Sequence, residues 1–183
     1  MKKLLLICMS LSFGWLGCGG TSGTTTDLST VYLTASPGSS RLEADVLTGN
    51  SCTTGGGTYT TETIPIDITS TPYTTATVKS PVTINKITIS YSKYDPNSAA
   101  PALPDQYDSG VTINPGTKQT INVNVAPDKL KLDLVDTHGF SLCSKDYWEY
   151  YVKITFSGVE DFTNKSVSIS TQVKVAFADR NNI

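Results

Sequence analysis

His138 is the one histidine among 183 residues, and it stands in the turn-like run Asp136-Thr137-His138-Gly139. To act as a base or a zinc ligand it would need a second imidazole or an adjacent nucleophile. The chain has no second histidine and no nucleophile-elbow sequence, so His138 reads as structural. Gly55-Gly56-Gly57 has the composition of a phosphate cradle, but no Lys-Ser or Lys-Thr pair completes it and no helix is predicted there, which leaves a flexible loop. Asp95, Asn97, Asp105 and Asp108 could offer oxygens to calcium, yet their spacing matches no calcium loop and an ordinary solvated loop accounts for them. No metal and no cofactor is therefore expected. Tyr147 and Tyr151 carry more weight. Set on the outward face of one strand, their rings would form a platform for a sugar or for a partner's side chain. Cross-strand packing, or cover by a neighbouring loop, is the competing explanation. With no mutually supportive acid, base and nucleophile to name, the expectation is a protein that is not an enzyme.

The elements that would position these residues follow from composition. There are 27 Thr, 20 Ser, 14 Gly and nine Tyr, a mix that favours strands and turns, while Ala and Glu are sparse. Fourteen basic against 16 acidic residues give a formal charge of -2, which excludes the basic footprint of a nucleic-acid binder. The length suits one domain with a sizeable core.

At the N-terminus, Lys2 and Lys3 precede a thirteen-residue apolar run from Leu4 to Leu16, and Gly17-Cys18-Gly19-Gly20 follows. That is the pattern of a cleaved export signal; a permanent span needs about twenty apolar residues. Leu16-Gly17-Cys18 resembles the end of a bacterial lipoprotein lipobox, although Trp15 and Leu16 stand where that family usually has a leucine and a small residue. The resemblance implies that residues 1–17 are removed, that Cys18 becomes the acylated first residue, and that a membrane is one partner. Gly19, in place of Asp, resembles the pattern sorted to the outer membrane. Residues 18–27 are small and polar and would form a tether, its eight residues from Gly19 to Thr26 spanning on the order of 15 Å. Without Lys2 and Lys3 the balance is 12 basic to 16 acidic, with both signs spread along the chain as on an ordinary solvated surface.

Cys8 leaves with the signal, and if Cys18 carries lipid, Cys52 and Cys143 remain as an even pair. In an oxidising compartment their default state is a disulfide closing a loop of about ninety residues. Two unpaired buried thiols are the alternative.

From residue 28 to 180 the apolar residues recur with period two. Val167, Ile169, Thr171, Val173, Val175 and Phe177 share one face of a last strand, and Trp148, Tyr150, Val152, Ile154 and Phe156 share one face of its hairpin partner. Leu130, Leu132 and Leu134 predict another strand after an Ala126-Pro127-Asp128 turn, and Ile121, Val123 and Val125 one before it. A phase jump between Ile84 and Ile87 predicts a bulge at Asn85-Lys86. Pro65 lacks a ladder N–H, which assigns Ile64, Ile66 and Ile68 to an edge strand. Tyr94 to Asp105 is Pro-rich and reads as a long surface connection, a natural place for binding. Eight or nine strands without a helix predict an all-β fold, a single antiparallel β-sandwich. Strand number and the final hairpin resemble an immunoglobulin-like or fibronectin type III-like domain, without the Cys-Trp-Cys spacing of antibody domains. The function expected is a non-catalytic, lipid-anchored envelope protein serving as an interaction, scaffold or adhesion module towards an envelope protein. A carbohydrate-binding module using Tyr147 and Tyr151 on a glycan is the alternative.

Overall fold

The computed structural model describes residues 29–145 and 147–180. The expected export signal over residues 1–17, Cys18 and the expected tether over residues 18–27 lie outside them. Nine strands and one short helix follow in order: β1 (Val31–Pro37), β2 (Arg41–Asp45), β3 (Glu62–Pro72), β4 (Val82–Lys93), β5 (Gln106–Asp108), β6 (Thr112–Ile113), β7 (Lys118–Ala126), α1 (Asp128–Asp136), β8 (Tyr147–Glu160) and β9 (Ser166–Ala178). They build the expected all-β sandwich. One sheet has the order β1-β3-β7 and the other β2-β9-β8-β4-β5, with β6 also on β4. Pairing is antiparallel except between β2 and β9, which run parallel. Beta1 and β2 therefore do not form a hairpin; the chain changes sheets at Gly38, whose N–H donates to Pro65 O at 2.8 Å.

The C-terminal hairpin supplies the centre of the core. Val152 lies opposite Val173 and Phe156 opposite Ile169, and Tyr150, Ile154, Val175 and Phe177 are buried with them. Ser166, Ser168, Gln172 and Lys153, on the other parity, are exposed, so the hairpin register is the one read from alternation. The bulge is present as well, with the β4–β8 register shifting between Ile84 and Lys86.

Two expectations are corrected. Leu130, Leu132 and Leu134 lie on helix α1, not on a strand. Leu130 and Leu134, one turn apart, are buried with Lys131, while Leu132 is 42% exposed. The Lys131 ammonium donates to Asp45 O at 2.7 Å and to Glu62 Oε1 at 2.8 Å. That anchor fixes the helical face inward although the leucines alternate in sequence. After the helix ends at Asp136, Gly139, with a φ of 69°, lets the Phe140 N–H reach back to Leu134 O at 2.8 Å. Strand β3, the second correction, is the middle strand of its sheet. Pro65 is tolerated because β1 pairing stops at Pro37 opposite Ile66; the Pro65 nitrogen shares its carbonyl's side of the strand, where β1 is already turning away at Gly38. Gly55-Gly56-Gly57 lies in a loop outside the strands, with φ of 74°, 97° and 104°, and the Gly55 N–H donates to Ser51 O at 2.7 Å.

Candidate binding face on the six-stranded sheet

Alternation along β8 sends Tyr147, Glu149 and Tyr151 outward and Trp148, Tyr150 and Val152 inward. Strand β9 sets Lys174 opposite Tyr151, and β2 sets Arg41 opposite Lys174. The Glu149 carboxylate accepts from Lys174 at 2.8 Å and from Arg41 at 3.4 Å. Both expected tyrosines are thus on one outward face, either side of a neutralised carboxylate.

They are not equivalent. The Tyr151 ring packs against Tyr94 at 5.1 Å between centroids, and Lys174 Nζ sits 3.5 Å from the centroid of the Tyr94 ring. This cluster occupies the Tyr151 end of the platform. Tyr147 remains 58% exposed. Beside it a hollow of about 280 Å³ is lined by Tyr94, Asp95, Ser98, Tyr147 and Glu149. On its other flank a hollow of about 330 Å³ includes Arg41, Ser144, Lys145 and Arg180. Tyr147 lines both hollows, the first with Asp95 and the paired Glu149, the second with Arg41, Lys145, Arg180 and Asp179.

The wall opposite Tyr147 comes from the Pro-rich connection, which is pinned along its length. Tyr94 N–H donates to Glu149 O at 2.9 Å, and Lys93 Nζ to Ser98 O at 3.3 Å. Tyr150, buried in the core, donates its hydroxyl to Pro101 O at 3.0 Å; burial pushes that phenol well above its ordinary range. Ala100 and Leu103 are buried. The connection is thus a fixed wall of the hollow, and the face can stack a ring on Tyr147 and receive hydroxyl donors at Asp95.

The other candidate residues are engaged locally. Asp95 Oδ1 accepts from Asn97 N–H at 2.9 Å, and Asp108 Oδ1 from Ser109 N–H at 2.7 Å. His138 Nε2 lies 3.3 Å from Asp133 Oδ2 at the end of α1. Cys52 and Cys143 are joined as a disulfide, 91 residues apart in sequence. Sequence reasoning missed Glu149, Lys174 and Arg41 as members of the face, and placed Tyr94 only at the start of a connection suited to binding. The β8–β9 register would have placed Lys174 beside Tyr151; Tyr94, the residue after β4, comes to the same face through the β4–β8 pairing, which joins segments far apart in the chain. No helix among the described residues is long and apolar enough to cross a membrane. No protein-family model, no curated protein and no solved structure matches the chain.

Proposed function

We propose that this protein is a non-catalytic binding module of the cell envelope, held to a membrane by lipid on Cys18 and meeting its partner on the outer face of the six-stranded sheet. The observation that carries the partner side is Tyr147, a large aromatic left 58% exposed between two hollows on an otherwise ion-paired face. Exposed aromatics of this kind are enriched where proteins bind. The strand order supports an immunoglobulin-like sandwich, since β1-β3-β7 corresponds to an A-B-E sheet and β9-β8-β4-β5 to G-F-C-C′. A photo-crosslinking residue at position 147, compared with one at Tyr32 on the other sheet, tests the face. Adducts in intact cells at 147 alone are expected. Equal labelling at both positions, or none at 147, contradicts the proposal.

A glycan is the second reading, favoured by the hollow that sets two tyrosines beside Asp95, Ser98 and the neutralised Glu149. Its test is a glycan array with Tyr147→Ala and Tyr94→Ala. Binding lost in both variants supports a sugar; no binding by the unaltered domain removes it.

A further inference from the structure

The Cys52–Cys143 bridge joins two exposed residues, and a buried acid sits directly behind it. Asp179 is 8% exposed and Asn50 3%. Asp179 Oδ2 accepts from Cys143 N–H and, at 2.9 Å, from Asn50 Nδ2. Its other oxygen, Oδ1, is buried and has no hydrogen-bond partner. Asn50 Nδ2 also reaches to 3.7 Å from Cys143 Sγ. Both sulfurs and a carboxylate oxygen of Asp179 lie within 4.8 Å of one another. Buried acceptors are nearly always partnered, so a buried acid with one unpartnered oxygen, set beside two sulfurs, asks for a ligand.

We propose that Cys52, Cys143 and Asp179 form a zinc site when the disulfide is reduced, so that one pair of loops is tied either by a covalent bond or by a metal ion. Zinc takes thiolates at about 2.3 Å and carboxylate oxygens at about 2.0–2.2 Å in a tetrahedron, whose ligand atoms stand roughly 3.5–4 Å apart. The three donors lie within 4.8 Å of one another, and with the S–S bond gone small side-chain rotations bring them to that spacing. A water completes the tetrahedron, because both cysteines face solvent. Asn50 donates to Asp179 Oδ2, an outer partner of the kind metal-bound carboxylates generally keep. Two thiolates select zinc over calcium or magnesium. Sequence inspection alone could not reveal the site, because its donors come from the β2–β3 segment, the α1–β8 segment and the end of β9.

The chemistry balances. A dithiol reductant supplies two electrons and two protons, becoming a disulfide itself, and the cystine becomes two thiols. Zinc then displaces both thiol protons to water. Zinc and the disulfide are mutually exclusive, and either restrains the same loops.

The test uses the full chain carrying Cys8→Ser and Cys18→Ser, so that Cys52 and Cys143 are its remaining thiols, reduced with a phosphine that takes up a water oxygen. Zinc should bind at one ion per chain, protect both thiols from alkylation and raise the Tm of the reduced chain towards that of the oxidised one. Cobalt should give a thiolate charge-transfer band. The oxidised protein should bind neither. Asp179→Asn, which keeps an acceptor for the Cys143 N–H, should weaken zinc binding at least tenfold while the disulfide still forms. Should that variant fail to fold, Cys52→Ser with Asp179 intact should abolish the cobalt band. No band in the reduced parent, equal zinc uptake by the oxidised protein, or unchanged affinity in a folded Asp179→Asn overturns the proposal.

Discussion

Removing Glu62 is expected to destabilise the domain more than removing the charge of Lys131, and the two burials set the difference. The Lys131 side chain is wholly buried, whereas the Glu62 side chain is 24% exposed. Glu62→Ala leaves the ammonium buried against Asp45 O without its carboxylate, a loss of about 3–5 kcal/mol for an uncompensated buried charge. It also takes away the oxygen that receives Asp45 N–H at 2.9 Å, placing the total near the upper end of that range. Lys131→Met keeps the volume and leaves a carboxylate that water and Asp45 N–H can still serve, so about 2–3 kcal/mol is expected. The double variant Lys131→Met/Glu62→Gln has no buried charge and retains an acceptor for Asp45; it should return to within about 1 kcal/mol of the parent. Urea midpoints and slopes on the disulfide-intact chain measure all three. A Lys131→Met penalty exceeding that of Glu62→Ala would refute the asymmetry. A double variant no better than its worse single would refute the pairing.

Ile154→Ala should cost about 2–4 kcal/mol through lost burial and an unfilled cavity, against about 0.5 or less for exposed Lys153→Ala; a reversed order of urea midpoints would mean that β8 is out of register. Lys174→Ala should fall between them, because that residue joins Glu149 and the Tyr94 ring. Glu160 is buried where the chain enters β1. Burial, the largest influence, pushes its carboxyl up, but hydrogen bonds from Ser29, Thr163 and the Thr30 and Val31 N–H groups together hold it below the ordinary 4.5. Its contribution is therefore present at neutral pH, begins to fall below about 4.5 and is lost as pH drops through the lower folded-state value. Tm against pH should decline more steeply in that acid range for the parent than for Glu160→Gln, and parallel curves would remove the effect. Gly57→Ala should lower stability by about 1–3 kcal/mol, because φ is 104° and a Cβ would come within 2.8 Å of Leu47 Cγ and 2.9 Å of Asn50 Cβ; an unchanged urea midpoint would show that the turn yields.

The hairpin was legible because both its strands carry an unbroken period of two, and only one register buries Val152, Ile154, Val173 and Val175 together. The sequence Leu130-Lys131-Leu132-Asp133-Leu134 alternates as cleanly and is a helix. What decides it is the partner waiting for Lys131 on β3 and at Asp45, which no local window contains. Pro65 misled for a related reason: a strand central to its sheet can still have one unpaired position where its neighbour stops. Of the binding face, parity alone shows Tyr147, whereas the residue that packs on Tyr151 has no local signal. Tyr94 and Lys174 became part of that face only through pairings between segments far apart in the chain. The cysteine pair was reached by counting; Asp179 and Asn50 behind it were not, because burial of an acid is invisible until the strands are packed.

Fractionation of cells producing the parent chain and Cys18→Ala tests the central proposal most directly, that of a binding domain displayed from a lipidated Cys18. The parent should sediment with membranes, partition into detergent and yield an N-terminal peptide that begins at an acylated Cys18. The variant should appear in the soluble exported fraction with Cys52 and Cys143 still linked in a non-reduced digest. A Cys18→Ala chain that stays with the membranes, or a parent chain found soluble and unacylated, would contradict it.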